Sequence, residues 1–170
     1  MSSVISLLEK RLEEKSLRFT KKPILIGGMA MEYYGLRKSG ADIDLVITDE
    51  DYQTLSSSYP DKRKDLWGDL GVVIDMFEIW RSIALLDYNF YSKDAIDERV
   101  VFVVSLDRLL LMRVIAMEVD KYRNDLQLLT RFYYETYRNK EFLHNMEMHM
   151  SLYEKNNGVV FGGTYLDEEK

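Results

Sequence analysis

Apolar side chains return every three to four residues near the start of the chain, at Val4, Leu7, Leu8 and Leu12, while Glu9, Arg11, Glu13 and Glu14 take the other side. This predicts an amphipathic helix over 4–17 that Ser2 and Ser3 can cap. The period then changes. Ile24-Leu25-Ile26 is a short continuous apolar run between Pro23 and Gly27-Gly28, the pattern of a buried strand followed by a turn. A helix over 29–36 and a polar loop over 37–40 come next. From there acidic and apolar residues alternate, Asp42 and Asp44 against Ile43, Leu45 and Ile47, as on a strand with one buried face.

Asp49-Glu50-Asp51 suits the positive end of a short helix reaching about residue 58. Residues 56–64 are the most loop-like stretch and read as a solvated connection rather than a lid over a substrate. A strand over 72–77 follows, in which Asp75 is the only charged residue. The stretch over 82–91 is ambiguous and reads as a short helix and then an extended segment. A β-branched strand is predicted over 99–104, and Ser105 can cap the helix after it. Beyond that point the pattern is helical: Leu106, Leu109, Leu110, Met112, Val114, Ile115 and Met117 in one helix, a second over 122–137 and a third over 141–155. Asn156-Asn157-Gly158 ends the last helix or forms a turn, 159–165 adds a strand or docks against the body, and 167–170 should fray.

The aspartates at 42 and 44 carry the first chemical signal. Alternate residues of a strand share a face and stand roughly 6.5–7 Å apart along the chain. Two carboxylates aimed at one small volume repel unless a cation lies between them, and an oxygen-only pair suits Mg²⁺ bound jointly with substrate phosphates. Gly27 and Gly28 let the backbone turn tightly and approach a ligand. The helix that follows begins with unpaired N–H groups able to hold a phosphate, and Arg37 and Lys38 at its far end add positive charge.

In order and spacing, the segment from Gly27-Gly28 through the helix to Asp42-Ile43-Asp44 resembles the signature of the DNA polymerase β-like nucleotidyltransferases. The resemblance implies a third carboxylate on a later strand, and Asp75 within Gly71-Val-Val-Ile-Asp-Met-Phe-Glu-Ile-Trp80 fills that place. A charge inside so apolar a run is costly unless it is bound or hydrogen-bonded, which favours a site role over the alternative of a polar position on an edge strand. A second stretch, Ser105 to Met117 and then Lys121-Tyr-Arg-Asn-Asp-Leu-Gln-Leu-Leu129, is similar to the helices after the catalytic strands in bacterial toxin-type and abortive-infection-type nucleotidyltransferases. The matching positions are Arg113, Lys121 and Asp125. That family usually has Lys where this chain has Arg113, and arginine lacks the compact, tunable ammonium while offering bidentate phosphate binding. Without the resemblance, Lys121 and Asp125 read equally well as an exposed i, i+4 pair.

The fold so implied is α+β: a small mixed sheet with flanking helices over 1–104, a helical section over 105–155 walling the site within the same compact unit, and a tail over 156–170. The implied reaction moves a nucleoside monophosphate from a nucleoside triphosphate to an acceptor with release of pyrophosphate. Asp42, Asp44 and Asp75 would hold Mg²⁺, or Mn²⁺ in its place, and Gly27, Gly28, Arg37, Lys38, Arg113, Lys121 and Asp125 would surround the nucleotide. The acceptor stays open among tRNA, protein and small molecule. The rival reading is a non-catalytic nucleotide-binding module, or one half of a toxin–antitoxin pair whose partner protein is encoded nearby.

Composition narrows this further. At 170 residues, 46% apolar and 31% charged, the chain is long enough for one domain with a full core and has an ordinary globular balance. It has no Cys, which excludes disulfides and thiolate metal sites, and His144 and His149 would diverge on a helix rather than form a zinc site. With a net charge of −6 and only Lys62-Arg63-Lys64 as a dense basic run, broad nucleic-acid affinity is not expected, although a local basic groove is compatible with it. The N-terminus lacks the pattern of a signal peptide and no apolar run approaches a membrane span, so the expected location is the cytoplasm, without a membrane partner.

Overall fold

The computed structural model describes residues 3–137 together with 144, 147, 148, 151 and 155. The chain forms two compact units, residues 1–130 and 131–170. The division falls inside the helix Asp120–Tyr137, and the part of the section expected over 105–155 that precedes it belongs to the same unit as the sheet. The tail over 156–170 lies outside the described residues.

Helix α1 (Ser3–Glu14) is shorter than the expected 4–17 and buries Val4, Ile5, Leu8 and Leu12; Leu7, expected on this stripe, is exposed, and Ile5 takes its place. Strand β1 (Ile24–Ile26) is fully buried and runs straight into α2 (Gly27–Tyr33). The entry is so sharp because Gly27 takes φ +66, a left-handed conformation in which a Cβ would clash with the backbone. Strand β2 (Ile43–Val46) follows, then α3 (Asp49–Ser58). Thr48 caps α3 by accepting the N–H of Asp51, and the Asp51 carboxylate in turn accepts the Thr20 N–H at 2.9 Å, so the approach to β1 is fastened to this helix.

The expected single strand over 72–77 is two strands, β3 (Gly71–Ile74) and β4 (Phe77–Trp80), joined by a tight turn at Asp75-Met76. Asp75 has φ +51, a region where Asp is enriched several-fold because its short polar side chain tolerates it. The stretch over 82–91 also differs from expectation: the extended part comes first, as the small hairpin β5 (Ser82–Ile83) and β6 (Leu86–Asp87), and the helix α4 (Tyr88–Ser92) second. Asp87 caps α4 by accepting the Phe90 N–H. The β-branched run shortens to β8 (Phe102–Val103), paired with β7 (Ile96–Asp97). Helices α5 (Leu106–Ile115) and α6 (Asp120–Tyr137) complete the described elements. Ser105 stands at the N-cap of α5 without making a side-chain capping bond.

The main sheet is mixed and six-stranded, in the order β3-β4-β2-β1-β8-β7, with β2 and β4 parallel, β1 and β8 parallel, and the other neighbours antiparallel. The protein is thus α+β. Across this sheet Val72, Ile79, Leu45, Leu25 and Val103 lie in register and are inaccessible to solvent, forming one apolar face. The opposite face carries Val73, Glu78, Asp44 and Ile26 in register. Burial of Leu109, Met112 and Leu129 ties α5 and the start of α6 into the core. Among the described residues no helix is long and apolar enough to cross a membrane.

Candidate active site

Asp44 is the centre of the polar group on the sheet. Its neighbours on either side, Ile43 and Leu45, are buried in the core, so the strand's alternation turns Asp44 to the other face, as predicted. Because β2 and β4 are parallel and in register Asp44↔Glu78, the two carboxylates stand on adjacent strands and the same face. Asp42 lies two residues earlier, at the exposed entrance to β2. Burial, then Glu78, with Asp42 adding to it, push the Asp44 carboxyl up to about 6; Arg113 and Lys121 pull it back. Two acids and two bases therefore act on one carboxylate.

Gly27 completes this corner. A Cβ built there would stand 2.2 Å from Oδ2 of Asp44, so only glycine admits the carboxylate against the start of α2. At Gly28 the nearest neighbour is the Arg37 guanidinium, where a Cβ would meet Nη1 at an ordinary 3.5 Å.

The helices contribute the opposite charge. Asp125, on α6, is 2% exposed and grips two arginines: Arg37 through Nε at 2.5 Å and Nη2 at 2.8 Å, and Arg113 of α5 through Nη2 at 3.1 Å. The Arg37 Nη1 donates to the carbonyl of Lys38 at 2.8 Å. Arg113 is 5% exposed, lies over the Tyr122 ring at 4.3 Å, and keeps a buried Nε–H without a partner. Lys121 is exposed, with its ammonium 5.4 Å from the same ring. The pairing of Lys121 with Asp125 on an open helix face does not form, because Asp125 points into the arginines.

Two expected members are elsewhere. Asp75, expected on a strand beside Asp42 and Asp44, lies in the exposed β3–β4 turn and bonds Lys15 Nζ at 2.5 Å, which holds its carboxyl below the ordinary range. The charges that shift it are Lys15 and Lys62, none of them shared with Asp44. Lys38 is 91% exposed and turned to Glu32 at 3.0 Å. Glu32 also accepts the Ser39 N–H and hydroxyl, and these bonds, first of all the hydroxyl, lower its carboxyl to about 2. Lys38 and Glu32 thus shape the 37–40 loop.

The carboxylate that the sequence reading missed is Glu78. Its signal was the alternation Phe77-Glu78-Ile79-Trp80, with Phe77 and Ile79 fully buried, once Asp75-Met76 is taken as a turn. Glu78 Oε1 receives Lys64 Nζ at 2.9 Å, and that ammonium also lies 5.7 Å from the Trp80 ring. Among the described residues no three His, Asp or Glu side chains are gathered at metal-ligand spacing. The donor set itself suits a hard divalent cation: oxygen-only, anionic, and costly to leave unpaired, as the upward displacement of Asp44 attests.

Neither protein-family models nor curated proteins match the chain.

Proposed function

We propose that the protein is a nucleotidyltransferase of the polymerase β-like type, moving a nucleoside monophosphate from a nucleoside triphosphate to an acceptor with release of pyrophosphate. The observation that carries this reading is the register Asp44↔Glu78 on parallel strands, with Gly27 against Asp44 and a cationic wall of Arg113 and Lys121 acting on the same carboxylate. Acidic and basic groups meeting over a glycine corner fit a triphosphate and its cation, since phosphoryl transfer depends on positioning and charge rather than on a protein nucleophile.

Asp42 and Asp44 would bind Mg²⁺ jointly with oxygens of the triphosphate, and Glu78 would join them on exchanging its Lys64 contact for the ion. When bound, the ion supplies Lewis-acid polarisation and neutralises phosphate charge. The chain's own residues do the rest. Gly27 and Gly28 keep the backbone open beside the phosphates, Arg113 offers its free Nε–H, and Lys121 screens the outer charge. Glu78 would stand in for Asp75 as the third carboxylate, since it is the acid in register with Asp44.

The test is thermal unfolding with Mg²⁺, a nucleoside triphosphate, or both. The wild type should melt higher with both together than with either alone; a hundredfold excess over Kd gives about 2.7 kcal/mol. Asp44→Asn should abolish the gain, and labelled nucleotide should pass to an acceptor in cell extract only with the wild type. Binding without transfer for any triphosphate would support the non-catalytic module. Neither binding nor transfer would refute both readings.

A further inference from the structure

Arg113 stands where the resembled enzymes usually carry lysine, and the structure gives that difference a purpose. Its guanidinium makes two engagements and keeps one donor in reserve: one terminal nitrogen bonds Asp125 at 3.1 Å, the plane covers Tyr122 at 4.3 Å, and Nε remains buried with its proton unmatched. An ammonium has neither the plane nor the divergent nitrogens for this. Asp125 in turn has both oxygens engaged, one by Arg37 Nε and the other shared by Arg37 Nη2 and Arg113 Nη2. The three Arg37 nitrogens are spent on Asp125 and the Lys38 carbonyl. Two guanidiniums on one carboxylate leave a surplus positive charge, and the single unmatched buried donor in this group is Arg113 Nε.

Resting on the nucleotidyltransferase reading, we infer that Asp125 is a positioning residue, a buried bracket clamping Arg37 and Arg113 so that the Arg113 Nε–H is presented to one phosphoryl group of the triphosphate. Arg37 is then part of the bracket rather than a phosphate ligand, and the reach from Asp125 to the loop after α2 makes phosphate binding depend on α5 and the first part of α6. An oriented buried donor is worth more to an anion than a mobile surface charge, because its orientation is already fixed before binding.

The sign of one mutation separates this from simple charge balance. Asp125→Asn removes a negative charge beside a phosphate site, so electrostatics alone predicts tighter anion binding. The bracket predicts weaker binding, because the arginines lose their common anchor. The probe is inorganic tripolyphosphate with Mg²⁺, titrated calorimetrically, which reads the phosphate pocket without the base. Asp125→Asn and Arg113→Lys should each bind about tenfold or more weakly, and the double variant should be little worse than either, the mark of residues acting as a unit. Tripolyphosphate bound as tightly as by the wild type, or tighter, in Asp125→Asn overturns the inference. If that variant does not fold, Arg37→Lys decides: it keeps the charge at a partly exposed position and loses the bidentate clamp, so the folded variant should bind several-fold more weakly, whereas unchanged binding overturns the bracket. A wild type that binds neither tripolyphosphate nor any Mg-triphosphate refutes the functional reading instead, and the bracket falls with it.

Discussion

Replacing Asp44 by Asn tests the crowding of charge on the sheet without any ligand. The Asp44 carboxyl sits at about 6 against an ordinary 3.8, through burial first, then Glu78 and Asp42, with Arg113 and Lys121 opposing. A raised acid pKa means that the folded chain holds this proton more tightly than the unfolded chain. The stability that Asp44 contributes is therefore fully present below about pH 4 and is lost as pH climbs through about 6. The interval from 3.8 to about 6 corresponds to about 3 kcal/mol, and partial solvent access trims it to about 2 kcal/mol.

Asparagine does not titrate, so any effect of its amide is a constant offset. Urea unfolding of wild type and Asp44→Asn, followed from pH 4 to 8 with a chelator present, should give a difference that shifts by about 2 kcal/mol in favour of the variant between pH 4 and 7, then levels. Excess Mg²⁺ should shrink the loss in the wild type alone. A difference that stays flat across the range would refute the claim that Asp44 faces Glu78 and Asp42 in a partly dry corner.

Gly27→Ala should cost about 1–3 kcal/mol, through left-handed strain and collision with the Asp44 carboxylate, while Gly28→Ala should be neutral or slightly stabilising; paired urea midpoints check this. Glu78→Gln should abolish the melting gain from a Mg-triphosphate, whereas Asp75→Asn should keep it, and the reverse pattern would restore Asp75 to the site. Lys121→Ala should weaken triphosphate binding by about 1–3 kcal/mol in calorimetry, and unchanged affinity would return Lys121 to an ordinary solvated position.

What could be read from the sequence was local. The apolar run 24–26, the glycines after it and the Asp42/Asp44 alternation are each decided within a few residues, and the structure keeps all three. On α1 the spacing found Val4, Leu8 and Leu12, but it set Leu7 on the buried stripe where the structure has Ile5. The Arg37–Asp125–Arg113 group was not legible. Its members are separated by as many as 88 positions, and nothing in the local pattern says that Asp125 will turn inward rather than pair with Lys121 four residues away. The order of hairpin and helix over 82–91 was missed for a related reason. The hairpin is only two residues long on each side, and its Ala84 and Leu85 turn with φ of 52 and 63 carries no glycine to announce it.

That Glu78 and not Asp75 shares a face with Asp44 follows from strand geometry. Side chains alternate along a strand, so in one uninterrupted strand residues 75 and 78 would face opposite sides and only one of them could join Asp44. Which one joins depends on where the strand is broken and how it pairs with β2. The turn at Asp75-Met76 removes Asp75 from the ladder, and the parallel register then aligns Ile43 with Phe77 and Leu45 with Ile79, pairs buried on the core face. That apolar match forces Glu78 onto the face of Asp44. Slipping β4 by one residue would bring Phe77 or Ile79 over to the polar side and send Glu78 into the core, so the burial of four apolar side chains fixes the position of the one acid between them.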